Sequence, residues 1–169
     1  MKRLITMIVL HCSATRCCDD YTVQQLYHDH VVVNHWKFIG YHYYIRRDGT
    51  VEPTRSVGIP GAHAKGFNAH SIGICYEGGL DERGQPCDTR TQAQKRAMAR
   101  LVVQLHQQFP TIKTVLGHRD LPGVRKACPC FEGRELQVLL SLGSMDELDG
   151  FLLNQMEEER RESDGNMGL

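Results

Sequence analysis

Short apolar segments alternate with helical segments along this chain of 169 residues, and that alternation limits the folds open to it. The apolar segments predict strands within Ile5 to His11, Gly40 to Val51, Ser71 to Tyr76 and Lys113 to Gly117. Strands that alternate with helices favour an α/β sheet with helices on its faces. Since the length suits one domain and no linker interrupts the pattern, we expect a single domain.

Two capping motifs indicate where the first helices begin. Thr22 and Gln25, and again Thr91 and Gln94, form the pattern T-x-x-Q, in which each side chain bonds the backbone of the other residue. Apolar residues at helical spacing follow both motifs, and Pro110 ends the second helix. The sequence therefore predicts one helix after the first strand segment and another after the third.

A hairpin turn is predicted at Asp48-Gly49, because glycine adopts the positive φ that such turns require. Alternation in the strand before it places Tyr41, Tyr43 and Ile45 on one face. Two interpretations of Tyr41 remain open from this pattern. Its ring packs on the sheet, or its phenol reaches a functional site at the start of the strand.

Composition excludes several classes of protein. No apolar run is long enough to span a membrane, so we expect no membrane span, and we expect no nucleic-acid partner. The seven cysteines form no regular framework, which argues against a disulfide-stapled secreted domain and favours a reducing compartment during synthesis. Nothing in the pattern demands an oligomer, and we expect a monomer.

The first residues of the chain are basic, whereas its last segment is acidic. Met1-Lys2-Arg3 precedes seven apolar residues, but no small-residue cleavage site follows, so we expect a strand rather than a signal peptide and a protein that is cytoplasmic at synthesis. From Met145 onward eight acidic residues stand against two arginines. We expect an acidic C-terminal helix and tail over 144–169 that extends the domain formed by 1–143.

Gly117 to Glu132, GHRDLPGVRKACPCFE, holds the densest group of candidate functional residues. His118 and Cys128 are both suitable zinc ligands, and a catalytic zinc needs three protein ligands and one open position. His11, at the end of the first strand, is a good third donor. Cys130 lies two residues after Cys128, and in a strand-like stretch both would face the same way.

The chain resembles the zinc-dependent N-acetylmuramoyl-L-alanine amidases shared by phage lysozymes and peptidoglycan recognition proteins. The matching segments are IVLHCSAT, IGYHYYIRRDGTV, GAHAKGFNAHSIGICYEGG and GHRDLPGVRKACPCFE, in the family's order and within about Ile5 to Leu142. The resemblance implies a central mixed β-sheet flanked by helices. It also implies zinc on His11, His118 and Cys128, with the register K-A-C-P selecting Cys128 over Cys130.

The same resemblance assigns further roles. Tyr41 and Lys126 would be the catalytic residues that do not bind the metal, whereas His63 and Asn68 would bind the substrate. The implied reaction is zinc-dependent hydrolysis of the amide between N-acetylmuramic acid and L-alanine in cell-wall peptidoglycan. Without a signal peptide, such an enzyme would reach the wall after release or export, as an antibacterial, endolysin-like lysozyme does.

Three alternatives follow from the same residues. The first is a peptidoglycan-binding module without catalysis; relatives of that kind replace the ligand cysteine, whereas this chain keeps Cys128. The second is a structural zinc protein, with Cys130 or His63 as a fourth ligand. The third is an amidase that recycles small muropeptides in the cytosol.

Overall fold

The computed structural model describes residues 3–165 of the chain, with side chains described as far as residue 163. Within that part a mixed five-stranded sheet forms the centre, in the order β4-β3-β5-β1-β7, and β2 and β6 form a small second sheet. Only β3 and β4 pair antiparallel in the large sheet. The strands are β1 (Met7–Cys12), β2 (Thr15–Arg16), β3 (Tyr43–Ile45), β4 (Val51–Pro53), β5 (Ser71–Tyr76), β6 (Gly79–Leu80) and β7 (Thr114–Gly117).

Helices cover the sheet, as the α/β prediction requires. Both predicted capping boxes are present, on α1 and on α2. The helices are α1 (Val23–Tyr27), which continues as a π-helical turn (His28–Val33), α2 (Gln92–Gln108) and α3 (Met145–Gly165), with 3-10 turns at Asn68–His70, His118–Asp120 and Gly133–Ser141. No helix among the described residues is long and apolar enough to cross a bilayer.

The central strand is β5, as its unbroken apolar sequence predicts. All six of its residues are buried, and it pairs in parallel with both β1 and β3. β1 also pairs in parallel with β7, so that Leu10 lies beside Gly117. The residues that follow these two positions, His11 and His118, therefore emerge at the same edge of the sheet.

Strand alternation decides which face of the sheet carries His11. Ile8, Leu10 and Cys12 point into the larger core, which lies under α2. Val9 belongs to a smaller cluster on the other face, with Ala64 of the loop between β4 and β5. Since side chains alternate along a strand, His11 shares the face of Val9 and lies against that loop.

The segment after Cys130 forms a 3-10 helix, Gly133–Ser141. Contacts with the edge strand β7 explain its tight winding. Gly133 packs so closely that a Cβ there would come within 2.4 Å of the Gly117 nitrogen. The Gln137 side chain accepts from the Val115 N–H at 2.7 Å and donates to the Lys113 carbonyl at 3.0 Å. The segment thereby covers an exposed sheet edge.

The acidic helix α3 packs along α2. Leu148 is completely buried in the main core, and Phe151 and Leu152 pack against it. Asp149 pairs with Arg100 of α2. Farther along the helix Met156 is exposed, so the buried face of α3 is short. The division of the chain at residue 143 stays a prediction, and residues 166–169 of the expected tail lie outside the described residues.

One buried histidine ties β5 to the loop beside β3. His42 is fully buried; its Nδ1 accepts from the Gly73 N–H at 3.0 Å, and its Nε2 donates to the Ile59 carbonyl at 2.9 Å. The bond that Nδ1 accepts requires the neutral ring. Burial accordingly lowers the pKa of His42 to about 4.

Acidification is expected to destabilise the fold through His42. An unfolded histidine has a pKa of about 6.5, so its contribution is complete above that pH and is lost as the pH falls towards the folded pKa of about 4. We expect the free energy of unfolding to drop by about 2–3 kcal/mol between pH 7.5 and 4.5 through this residue. Urea unfolding of chelator-treated protein measures the effect.

The matched control is His42→Gln, which keeps a donor and an acceptor but does not titrate. Between pH 7.5 and 4.5 its free energy of unfolding should fall by about 2–3 kcal/mol less than that of the wild type. If the two pH profiles coincide, His42 is not the source of the predicted pH dependence of stability.

Candidate metal centre

Three potential metal ligands converge at the edge of the sheet where β1 and β7 end. The ligand atoms of His11, His118 and Cys128 all lie within 4.8 Å of one another, and among the described residues they form the one such group of three or more. His11 is completely buried, whereas the other two are partly exposed. His11 Nδ1 lies 3.7 Å from Cys128 Sγ, and the two imidazole rings are 4.6 Å apart.

Local hydrogen bonds fix the two ligands that lie outside strands. His118 begins a single 3-10 turn, and the Asp120 carboxylate accepts from the Gly117 N–H at 2.8 Å to hold that turn against β7. The Arg119 N–H donates to the Cys128 carbonyl at 2.8 Å. The loop that carries the cysteine is therefore tied directly to the turn that carries the histidine.

Cys130 lies apart from this group. We expected it to face the same way as Cys128, and that expectation is wrong because the segment is a turn and not a strand. The Cys130 N–H donates to the Ala127 carbonyl at 2.7 Å, and Cys130 has a positive φ of 68°. Its Sγ points to Cys12 Sγ, 3.8 Å away, behind the metal centre.

The environment favours the deprotonated form of each ligand, which is the form that binds a metal. Burial, followed by the nearby His63, His118 and Lys126, holds the pKa of His11 well below its usual value. Burial and Lys126 lower the pKa of His118. Hydrogen bonds from Cys12, whose N–H lies 3.4 Å from the sulfur, lower the pKa of Cys128 against the opposing effect of burial. Two imidazoles and a thiolate form a donor set that suits zinc.

A further histidine holds the ring of His11. His11 Nε2 lies 2.9 Å from His63 Nδ1, and His63 Nε2 lies 3.3 Å from Ser71 Oγ. Burial lowers the pKa of His63 to about 3, so this ring is neutral. With Nδ1 of His11 turned to Cys128, its Nε2–H donates to His63, which in turn donates to Ser71. This chain fixes which nitrogen of His11 faces the metal centre.

Removing that support is expected to weaken metal binding. In His63→Ala the zinc affinity should fall by roughly 10- to 100-fold, because partners that orient a metal-binding histidine typically have effects of this size. Competition with a chromophoric chelator measures the affinity. The exposed His28 is the matched control, and His28→Ala should bind zinc as the wild type does. Unchanged affinity together with a raised KM would instead make His63 a substrate contact alone.

Tyr41 lies beside the centre, and the structure combines the two interpretations left open by the sequence. Its ring is 5.0 Å from that of His11, while it also packs against the cluster of Leu26, Ile39 and Tyr44. The strand begins only at Tyr43, so the predicted alternation does not extend to Tyr41. Burial and nearby thiols raise the pKa of Tyr41 well above its usual value, which keeps the phenol protonated and able to donate.

An open cleft leads away from the metal centre. His63, Lys65, Asn68, His118 and Lys126 line it together with small residues, and none of the residues lining it is acidic. The Asn68 carboxamide oxygen accepts from the N–H groups of His63 and Ala64, each at 3.0 Å. Asn68 therefore shapes the loop that forms one wall, and its predicted contact with substrate stays a prediction.

Sequence reasoning missed the supporting residues. Cys12 and Ser71 have no motif of their own, and each acts through a contact with a residue far along the chain. One feature of the sequence does point to Cys12, because this residue directly follows His11 at the end of a predicted strand. Lys65 is two residues from His63 but was not singled out.

Comparison with known proteins adds a family to this geometry. The sequence model described as N-acetylmuramoyl-L-alanine amidase matches residues 1–131. The endolysin of Klebsiella phage KP32 is 40% identical over 127 residues, which cover 75% of this chain and 82% of that protein. The endolysin of Escherichia phage T7 is 38% identical over 125 residues, covering 74% and 80%.

Solved structures agree with these sequence matches. The N-acetylmuramoyl-L-alanine amidase LysC from Clostridium intestinale URNW superposes with a TM-score of 0.67 at 29% identity, over 83% of this chain and 88% of that one. Apis mellifera PGRP-SA has a TM-score of 0.63 at 19% identity, over 79% and 85%, and so shares the fold. The predicted mixed sheet flanked by helices is confirmed.

Proposed function

The chain belongs to the N-acetylmuramoyl-L-alanine amidase family and is a peptidoglycan amidase, and we propose that it uses a zinc ion held by His11, His118 and Cys128. The bond it cleaves is the amide between N-acetylmuramic acid and L-alanine. The observation that supports the zinc proposal is the convergence of two imidazoles and a thiol beside an open cleft. When bound, zinc supplies Lewis acidity that activates water and polarises a carbonyl.

Lys126 is proposed to stabilise the charge that develops on the scissile carbonyl oxygen. Its ammonium group lines the cleft next to His118, and its charge acts on both histidine ligands. An ammonium donor aimed at a developing oxyanion stabilises the transition state more than the ground state. Lys126 is exposed, so its side chain is free to reach a bound substrate.

Tyr41 is proposed as the second donor to the same oxygen. It lies against His11 and keeps its proton, because burial raises its pKa. Unlike Lys126, it is held in a packed cluster and so donates from a fixed position. A rigid donor and a mobile cation would then act on one oxygen from two segments of the chain.

A closed structural zinc site has less support. Such a site needs a fourth protein ligand. Cys130 turns towards Cys12, and His63 uses its Nδ1 for His11, so neither of the expected rivals adds to the three donors. The three donors, without a fourth protein ligand in the group, would suit a catalytic zinc better than a structural one, and the presence of Cys128 disfavours a binding module.

Mass spectrometry of digested peptidoglycan tests the proposal. Purified cell wall is incubated with the protein as prepared, after chelation, and after zinc is restored. Stem peptides that begin with L-alanine should appear, vanish with the chelator and return with zinc. Release that persists after chelation would overturn the zinc proposal. Cleavage of small muropeptides but not of intact wall would favour the recycling alternative over the lytic one.

We also propose that the amidase acts as a monomer and meets the wall after release or export. Light scattering with size-exclusion chromatography tests the first part, and a dimer at micromolar concentration would contradict it. For the second part, the relatives named as phage endolysins support a lytic role. Lysis of cells by externally added protein after outer-membrane permeabilisation would support it further.

A further inference from the structure

The cleft beside the metal centre is positively charged. The lysines Lys65 and Lys126 are among the residues that line it, and no aspartate or glutamate is. Among the described residues some arginines pair with acids, as Arg46 does with Glu77 and Arg90 with Asp88, whereas no lysine does. The two cleft lysines have no acidic partner among the described residues, so their charge is available to a ligand.

Lys126 already has a role in the proposed reaction, but Lys65 does not. Lys65 is on the other loop, two residues after His63, and its side chain is exposed. It therefore places a second positive charge along the cleft, on the loop opposite Lys126.

The backbone that carries Lys65 is held in a fixed turn. The Phe67 N–H donates to the Ala64 carbonyl at 2.9 Å, and the Asn68 carboxamide oxygen holds the residues before Lys65 from inside the loop. Gly66 has a φ of +86°, a conformation that other residues rarely adopt. A turn that is already formed loses little entropy when its side chain binds a ligand, which raises the affinity of a single ionic contact.

Stem peptides of peptidoglycan supply the matching group. The residue after L-alanine carries a free carboxylate in some walls and a carboxamide in others. We propose that Lys65 binds this stem-peptide carboxylate, which makes the enzyme selective for anionic stems over amidated ones. The inference rests on the proposed amidase function and adds the class of substrate that the cleft selects.

Competition between two forms of one substrate tests the proposal. Two synthetic muropeptides are used that differ only in whether the residue after L-alanine carries the free carboxylate or the carboxamide. Equal amounts of both forms are mixed with the zinc-loaded enzyme, and mass spectrometry follows the loss of each. The ratio of the two rates is then the ratio of kcat/KM values. We expect the wild type to favour the carboxylate form about five- to tenfold, the size of a partly exposed charge-assisted contact.

Three variants separate Lys65 from the overall charge of the protein. Lys65→Gln should bring the ratio close to one, whereas Lys65→Arg should keep most of the preference. Lys113→Gln removes an exposed lysine that is not part of the cleft, and its ratio should equal that of the wild type. Added salt should reduce the wild-type preference, because the contact is exposed to solvent.

The outcomes that overturn the proposal are distinct from failure of the amidase function. A wild type that cleaves both forms equally, or a Lys65→Gln variant that keeps the full preference, overturns the role of Lys65 and leaves the amidase assignment intact. Cleavage of neither form by the zinc-loaded wild type would count against the amidase function itself, and the role of Lys65 would fall with it.

Discussion

Replacing Cys128 with serine is expected to reduce zinc-dependent hydrolysis by more than about 1,000-fold, since changes to residues that merely orient metal ligands already have effects of 10- to 100-fold. A serine hydroxyl stays protonated near neutral pH and is a poor zinc ligand. The fold should survive, because the new hydroxyl can still accept the hydrogen bond that the Cys12 N–H donates to the sulfur. Peptide release, zinc content and far-UV circular dichroism together measure the result.

Two other cysteines provide the controls for this prediction. Cys87 is exposed, and Cys130 faces Cys12 rather than the metal centre, so serine at either position should leave zinc binding in place. Full activity in Cys128→Ser together with lost activity in Cys130→Ser would move the ligand role to Cys130. That result would require the loop to rearrange when zinc binds.

Lys126→Ala is expected to lower kcat by about 100- to 1,000-fold, the usual effect of removing one donor to a developing oxyanion. The zinc content should not change, because Lys126 has no part in the group of three donors. The neighbouring Arg125 is also exposed, and Arg125→Ala controls for the loss of one positive charge from this loop. Steady-state kinetics and elemental analysis of the same samples measure both quantities.

Loss of metal in Lys126→Ala would contradict this assignment and make the lysine a support for the ligands. A rise in KM with kcat unchanged would make it a binding residue alone. Loss of metal would appear in the elemental analysis and a raised KM in the kinetics, so the two contrary results are distinguishable.

The sequence predicts best what local periodicity and local hydrogen bonding decide. The two capping boxes and the strands that end at His11 and His118 follow from residues within a few positions of one another, and the structure contains all of them. The convergence of the two histidines was predictable for the same reason. Parallel strands place their carboxyl ends at one edge of a sheet.

Features that depend on distant contacts were not predictable in this way. The direction of Cys130 follows from a turn whose geometry no periodicity specifies. The contact of His63 with His11 joins residues 52 positions apart. Nor does the sequence of Gly133–Ser141 reveal that packing on β7 winds it as a 3-10 helix. The position of Tyr41 was not predictable for a related reason, since its ring lies against both a packed cluster and His11.

The pairing of β1 with β7 has a consequence for the order of events during synthesis. The first strand of the sheet finds its edge partner more than 100 positions later, and the sulfur of Cys128 meets His11 across 117 positions. Such high contact order slows folding, because a long loop must close before its contacts form. A nascent chain that ends before Cys128 lacks one of the three donors. On the proposed zinc site, metal capture would therefore be a late event, because a ribosome-bound fragment that ends before Cys128 lacks one of the proposed ligands.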